Sequence, residues 1–200
     1  MRKTGIAVLA LIALCVLPLA AQAQQGQHAP PTVAAFLRQL YMGNQRNIVA
    51  SGNKMPEEFF GLRPGPQMEV RTFGQHLLHI ATYNFLWCSQ AKGEKNPNEG
   101  RNLEKELTAK ADIMKVVADS FAYCDGAYNA LNDTNGSEII TITQENGQVQ
   151  QRPRMGLLML NVVHNNEVYG SMVTTMRIKS IVPSSSEPRP AQGPQPGRGR

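Results

Sequence analysis

The fold is indicated most strongly by residues Leu157–Ser186, which read LLMLNVVHNNEVYGSMVTTMRIKSIVPSSS. This segment predicts a helix that carries one histidine, His164, and a valine one turn further on, Val168. Residues four apart lie on the same face of an α-helix, so both side chains point into the same space. Histidines at both positions would form half of a metal site, and here only the first one is present.

The run HNNEVYG at 164–170, followed by a methionine-containing turn and IVPSSS, resembles the last helix of the DinB/YfiT-like family of four-helix bundles. Family sequences usually read close to H-N-N-E-H-Y-G there, so Val168 stands where the family has its second histidine. The segments MPEEFFGLRPGPQ (55–67) and SFAYCDGAY (120–128) are similar to the family as well. The resemblance covers about residues 31–186 and implies an all-α, up-down-down-up four-helix bundle.

Hydrophobic periodicity also predicts four helices. Each predicted helix carries apolar residues at intervals of three and four, which place them on one face. The helices are expected to cover about 32–53, 70–92, 109–131 and 153–181.

The start of the third helix allows two interpretations. Thr108 is a good N-cap for a helix that starts near 109, whereas the apolar spacing of Leu103 and Leu107 also allows a start at Asn102. We favour the start near 109, because it leaves a long connection after the second helix. Such a connection can cross the bundle and let helices two and three run parallel, as the family order requires.

Residues 138–151, EIITITQENGQVQQ, alternate β-branched and polar residues around Asn146-Gly147. An Asn-Gly pair between alternating segments is typical of a tight hairpin turn. The family resemblance implies only a connection here. We expect a small β-hairpin between helices three and four.

Residues 1–23 have the pattern of a secretory signal peptide. Arg2 and Lys3 precede an apolar run over 6–21, and Ala21-Gln22-Ala23 offers a small-x-small cleavage site. The apolar run is shorter than the roughly twenty residues that a bilayer span needs. We expect a secreted or periplasmic mature protein that begins near Gln24.

The composition of the two ends predicts segments outside the bundle. Residues 24–30 form a polar lead-in, and residues 187–200 are rich in Pro, Gly and Arg without large apolar side chains. Segments of this kind cannot bury enough apolar surface to fold. We therefore expect a flexible lead-in and a disordered tail on either side of a bundle at 31–186.

Charge limits the classes of partner. The full chain carries a net charge of +5, from 20 basic and 15 acidic residues. Cleavage would remove Arg2 and Lys3, and the remaining excess forms no basic stripe. Nucleic acid is therefore not an expected partner, and no membrane contact is expected after signal cleavage. The expected partner is a small molecule of unspecified kind, and a homodimer is compatible with the prediction.

Two cysteines, Cys88 and Cys124, remain after signal cleavage. If helices two and three run parallel, both lie at similar heights and can form a disulfide in an oxidising compartment. If the helices were antiparallel, Cys88 would lie near Lys105 and no bridge could form. Two buried free thiols are the other interpretation.

The family resemblance implies a metal site. Family members often hold a divalent metal with three histidines, one on helix two and two on helix four. By the motifs, HLLHIA places the helix-two ligand at His79, and HNNEVYG places the first helix-four ligand at His164. The third position is Val168, so His76 or Glu167 is the candidate replacement, with His76 slightly preferred. The expected cofactor is Zn²⁺ or Ni²⁺, bound weakly or not at all.

A simpler interpretation needs no metal. His76 would then be half-exposed, and His79 and His164 would hydrogen-bond to each other or to a tyrosine. Two functions follow from the two interpretations: a metal-dependent transferase or hydrolase that acts on a small molecule, or a non-catalytic bundle that binds a ligand or partner. No nucleophile elbow, phosphate loop, dinucleotide turn or Cys-x-x-Cys motif is present in the sequence.

Overall fold

The computed structural model describes residues 31–143 and 147–188. The predicted signal peptide at 1–23, the lead-in at 24–30, Asn146 and all but the first two residues of the predicted tail lie outside these residues. The elements are α1 (Val33–Lys54), α2 (Phe73–Lys92), α3 (Leu103–Glu106), α4 (Lys110–Ala130), α5 (Asp133–Gly136), β1 (Ile139–Thr143), β2 (Val149–Pro153) and α6 (Arg154–Ile178).

The four long helices run up-down-down-up, as predicted. Between α2 and α4 the contacts advance together along both helices, from Gly74 beside Ile113 to Cys88 bonded to Cys124, so these helices are parallel. Between α1 and α4 the order is reversed. Arg38 donates to the carbonyl of Tyr128, and Lys110 donates to the carbonyl of Asn53.

The Cys88–Cys124 disulfide predicted from the parallel order is present. The two Cα atoms are 5.3 Å apart, and neither residue is exposed to solvent. The bridge ties the middle helices together near their C-terminal ends. The structure therefore confirms the predicted disulfide and excludes the interpretation with two free thiols.

The second helix begins three residues later than predicted, at Phe73. The reason is a capping box: the Thr72 hydroxyl accepts a hydrogen bond from the Gln75 amide at 3.2 Å, and the Thr72 amide donates to Gln75 Oε1 at 2.9 Å. Both groups would otherwise be unpaired at a helix start. Thr72 therefore defines the residue at which α2 begins.

Thr108 is not the cap of the third long helix, so that prediction is wrong. The N-cap is Ala109, whose side chain makes no capping bond. A separate short helix, α3, precedes it and is capped by Asn102, whose Oδ1 accepts from the Lys105 amide at 3.2 Å. Leu103, at 1% exposure, anchors this turn in the core, which explains why apolar spacing is seen upstream of 109.

The last helix ends at Ile178, three residues before the predicted end. Ser180 adopts φ +57, and the Ile181 amide donates to the carbonyl of Met176 at 3.0 Å. A left-handed residue with this backward hydrogen bond is a common way to end a helix. Pro153, predicted as a first-turn residue, is the N-cap of α6, which begins one position later at Arg154.

The predicted hairpin is confirmed. Strands β1 and β2 pair antiparallel, with Ile139 opposite Pro153 and Thr143 opposite Val149. Gly147 has φ +80, a conformation that glycine adopts at little cost in a tight turn. Ile142, at 7% exposure, packs into the core and fixes the hairpin against the bundle.

A buried amide network crosses the middle of the bundle. The Oδ1 atom of Asn84 on α2 accepts hydrogen bonds from Asn161 Nδ2 at 2.9 Å and from Asn165 Nδ2 at 2.8 Å, both on α6. All three residues are fully buried. Directional bonds of this kind fix the register between two helices, so α2 and α6 present their histidines at a defined height.

None of the helices within the described residues has the length and apolar character needed to cross a membrane.

Candidate functional site

A cavity of about 750 Å³ opens between α2, α3, α6 and the hairpin. Its size lies within the range of small-molecule sites. One part of its wall is aromatic and aliphatic, and the other part carries arginines and amides. The lining residues are Arg71, His79, Thr82, Tyr83, Leu86, Trp87, Gln90, Arg101, Asn102, Leu103, Glu104, Ile142, Thr143, Gln150, Arg152, Leu157 and Leu160.

His79 is held by a carboxylate that the sequence did not reveal. Its Nδ1 lies 2.9 Å from Glu104 Oε1 on α3, and Glu104 Oε2 accepts from Arg71 Nε at 2.9 Å. An ionised carboxylate only accepts, so Nδ1 of His79 carries a proton and donates it to Glu104. Burial raises the pKa of the Glu104 carboxyl, but the bonds from His79 and Arg71 outweigh it and hold the pKa below its usual value.

His164 lies in an aromatic cluster on the α6 side of the cavity. Its ring centroid is 4.9 Å from that of His79, 4.6 Å from Tyr83 and 5.0 Å from Trp87. Its Nδ1 makes a long contact of 3.5 Å with Asn165 Oδ1. Its Nε2 is buried and has no hydrogen-bond partner among the described residues.

The two histidines assigned by the family motifs therefore lie side by side. They do not hydrogen-bond to each other or to a tyrosine; the partner of His79 is Glu104 instead. Val168, one turn after His164, is buried at 8% exposure and presents an apolar side chain to the bundle interior.

The two candidate replacement ligands differ in position. His76 is buried at 8% exposure, so the interpretation as a half-exposed residue is wrong, and its Nδ1 has no partner among the described residues. Glu167 is exposed on α6. Within residues 31–143 and 147–188, no group of three His, Cys, Asp or Glu side chains is arranged to hold a metal ion.

The donors present fit a metal only in part. An imidazole binds zinc at about 2.0–2.1 Å, so two rings on one ion have centroids within about 5 Å of each other, as His79 and His164 do. A carboxylate on the second nitrogen, as on His79, is also typical of metal-binding histidines. Two imidazoles without a third donor do not make a tight site. Because Val168 supplies no donor, the residues do not fit a firmly held ion.

Burial keeps His76 and His164 neutral near pH 7. The pKa of His164 is lowered to about 4, mainly by desolvation and also by the nearby His79, against smaller opposing effects of Asn165 and Glu167. Desolvation likewise lowers the pKa of His76 to about 4, together with Arg71 and His79. Neither ring contributes positive charge to the site near neutral pH.

The titration of His164 leads to a prediction about stability. Its pKa is about 4 in the folded chain and about 6.5 when unfolded, so between these values the unfolded state binds the proton and the folded state does not. Stability contributed by the neutral ring is therefore lost as the pH falls from 6.5 towards 4. The decrease in the free energy of unfolding between about pH 7 and about pH 5, measured by urea unfolding, should be smaller in His164→Asn than in the wild type. The expected difference is about 1 kcal/mol, which allows for the partial exposure of the ring. Equal losses in both proteins would contradict this assignment.

Several residues of the site were not predicted as functional. Glu104 lies on a helix of four residues, which is too short for a clear periodic signal, and only the apolar spacing of Leu103 and Leu107 indicated a helix there. Arg152 enters the cavity on the hairpin, whose docking onto the bundle is a long-range event. Trp87 lies at helical spacing from the apolar residues Phe73, Leu77 and Ile80, which is the pattern of a core residue, yet it lines the cavity.

Comparison with known proteins relates the chain to one family. Residues 43–167, more than half of the chain, match the family model described as the DinB superfamily. A comparison with curated proteins finds no match.

Solved structures show the same fold. A DinB-like protein from Bacillus cereus is 18% identical with a TM-score of 0.58, and covers 76% of this chain and 95% of its own. A DinB-like protein from Bacillus subtilis is 13% identical with a TM-score of 0.56, and covers 72% and 92%. A conserved protein from Enterococcus faecalis is 14% identical with a TM-score of 0.57, and covers 74% and 96%.

The family match, the up-down-down-up helices and the paired His79 and His164 lead to one conclusion. The chain belongs to the DinB superfamily.

Proposed function

We propose that this protein is an exported DinB-like bundle that binds a small organic molecule in the cavity beside His79, without a tightly held metal. The observation that carries the proposal is buried Val168, which fills the position of a third donor next to His164 with an apolar side chain. The cavity itself has the volume and mixed wall of a ligand site. His79, which lines this cavity, then serves as a polar group of a binding pocket, and His164 packs beside it.

The cavity wall supports binding of an organic ligand. Tyr83 and Trp87 pack with ring centroids 4.7 Å apart, and both line the cavity. The cavity is also framed by Glu104 and Arg71, which hold His79 in one orientation. A pocket whose polar groups are fixed before binding loses less entropy when a ligand enters.

A metal-dependent transferase or hydrolase is the second candidate. The observation that favours it is the pairing of His79 Nδ1 with Glu104, which leaves Nε2 free beside His164. This class needs a further donor that the arrangement of the described residues does not supply. Val168 therefore favours the binding function over the enzymatic one.

Ligand binding can be tested with a thermal-shift screen of small organic molecules in the presence of a chelator. Ligands that bind the folded state raise Tm, and binding without metal should persist in EDTA. Trp87 is the only tryptophan of the chain and lines the cavity, so its fluorescence reports binding at this site. If every hit disappeared with EDTA and returned with Zn²⁺, the enzymatic candidate would replace the proposal.

A matched pair of variants locates the binding. Thr82 on α2 lines the cavity and donates to the carbonyl of Leu78, and exposed Thr174 on α6 donates to Gly170 in the same way. Thr82→Phe should fill the cavity and abolish the rise in Tm, whereas Thr174→Phe should retain it. Loss in both variants, or in neither, would place the ligand elsewhere.

Export has its own test. Expression of the full chain in a bacterial host with a Sec pathway should give a mature protein that begins at or near Gln24, because signal peptidase prefers small residues at positions such as Ala21 and Ala23. Intact-mass spectrometry of the periplasmic fraction measures this directly. A mass that retains the 6–21 segment would contradict the proposed location.

A further inference from the structure

The charges around the cavity do not cancel. Three arginines, Arg71, Arg101 and Arg152, line it together with one carboxylate, Glu104. Arg71 is paired with Glu104 at 2.9 Å, and Arg101 is paired with Glu106 at 2.7 Å. One of the three lining arginines therefore has no carboxylate partner among the described residues.

Arg152 is that arginine. Its Nε and Nη2 donate to the neutral amide oxygen of Gln150 at 3.2 and 3.0 Å, and it faces no carboxylate among the described residues. Gln150 lies two positions earlier on β2, so both side chains are on the same face of the strand. The amide holds the guanidinium in place without neutralising it. A half-buried, oriented arginine is a preferred partner of carboxylate and phosphate groups.

Another part of the cavity wall is apolar and partly aromatic. Tyr83 and Trp87 form an aromatic surface along α2, and Leu157 and Leu160 of α6 with Ile142 of the hairpin line the same space. Aromatic side chains bind planar unsaturated rings through their faces and edges. His164 adjoins this surface, with its ring centroid 4.6 Å from that of Tyr83 and 5.0 Å from that of Trp87.

From this arrangement we propose that the ligand is a flat unsaturated ring that carries an oxyanion, either a carboxylate or a phosphate monoester. The oxyanion binds Arg152, and the ring packs against Tyr83 and Trp87. The proposal rests on the binding function proposed above and specifies its ligand class. It does not depend on a metal ion bound next to Val168.

Five probes separate the parts of this proposal. They are 4-methylbenzoate, its neutral amide 4-methylbenzamide, the non-planar cyclohexanecarboxylate, phenyl phosphate and inorganic phosphate. Titration followed by Trp87 fluorescence in EDTA gives an affinity for each. We expect 4-methylbenzoate or phenyl phosphate to bind about tenfold or more tightly than the amide, since one charge-assisted contact corresponds to about that factor. The non-planar acid and inorganic phosphate keep the charge but lack a planar ring for Tyr83 and Trp87, so they should also bind more weakly. The tighter of the two aromatic anions identifies the oxyanion.

Arg152 is tested by Arg152→Gln, with Arg177→Gln on an exposed turn of α6 as the matched control. Arg152→Gln should remove the difference between acid and amide, because that difference comes from the guanidinium. Arg177→Gln should keep it. Arg152→Lys retains the positive charge and should keep part of the affinity difference between acid and amide. This variant shows whether the effect of Arg152→Gln comes from the lost charge or from a folding defect.

The outcomes distinguish the two proposals. If the amide binds as tightly as the acid, or Arg152→Gln leaves their difference unchanged, the anion proposal is wrong and the binding function stands. If none of the probes binds while other compounds raise Tm in the screen, the anion proposal is again wrong. If no compound binds in either experiment, the binding function is wrong and the anion proposal with it.

Discussion

Replacing Val168 with histidine is expected to strengthen Zn²⁺ or Ni²⁺ binding by at least about a hundredfold, because a third tethered imidazole is added to two that already adjoin. Val168 is buried one turn after His164, and the His164 ring is 4.9 Å from that of His79. The wild type should bind these ions only weakly. Isothermal titration calorimetry on both proteins measures the difference.

Val163→His is the matched control for this substitution. Val163 lies on the same helix but is 62% exposed, so the same change adds an imidazole away from the site. It should leave affinity close to that of the wild type. Equal affinity in Val168→His and Val163→His would mean that residue 168 does not face the histidine pair. Tight binding by the wild type that is lost in His76→Ala would instead assign the third donor to His76.

Removal of the Cys88–Cys124 bridge is expected to lower the free energy of unfolding by about 3 kcal/mol, because the cross-link restricts the unfolded chain over a sequence separation of 36. Cys15 lies in the predicted signal peptide, so the mature protein would carry no other cysteine. Urea unfolding of oxidised protein, reduced protein and the Cys88→Ala/Cys124→Ala double variant measures the effect.

The reduced wild type separates the cross-link from packing. Both sulfur atoms remain in the core of the reduced protein, whereas the double variant also loses their buried volume. We expect the reduced protein to lose most of the stability that the cross-link contributes, and the double variant to lose slightly more. Identical unfolding midpoints for oxidised and reduced protein would show that the bridge does not contribute.

The positions of the long helices were predictable because their sequence signals are local and repeated, whereas their up-down-down-up order was implied by the family resemblance. The HNNEVYG run and the HLLHIA run each placed a histidine correctly on its helix, and the parallel order then brought Cys88 and Cys124 together. The hairpin at 138–151 was predicted from alternation and an Asn-Gly pair. These features depend on spacing within one element.

The rest of the site depends on contacts between elements, which spacing does not encode. Glu104 reaches His79 only because Asn102 and Leu103 fold a single helical turn against α2. Arg152 reaches the cavity only because the hairpin packs on the bundle. The start of α2 was misplaced because the capping box of Thr72 is stronger than the apolar pattern that begins at Val70.

The metal content of the mature wild-type protein tests whether Val168 leaves the site without a tightly held ion. The full chain is expressed with Zn²⁺ and Ni²⁺ in the medium, purified from the periplasm without added metal, dialysed, and analysed by inductively coupled plasma mass spectrometry. We expect well under one ion per chain, because two imidazoles alone release a divalent metal during dialysis. One retained ion per chain would contradict the proposed function and show that a third donor completes the site of His79 and His164.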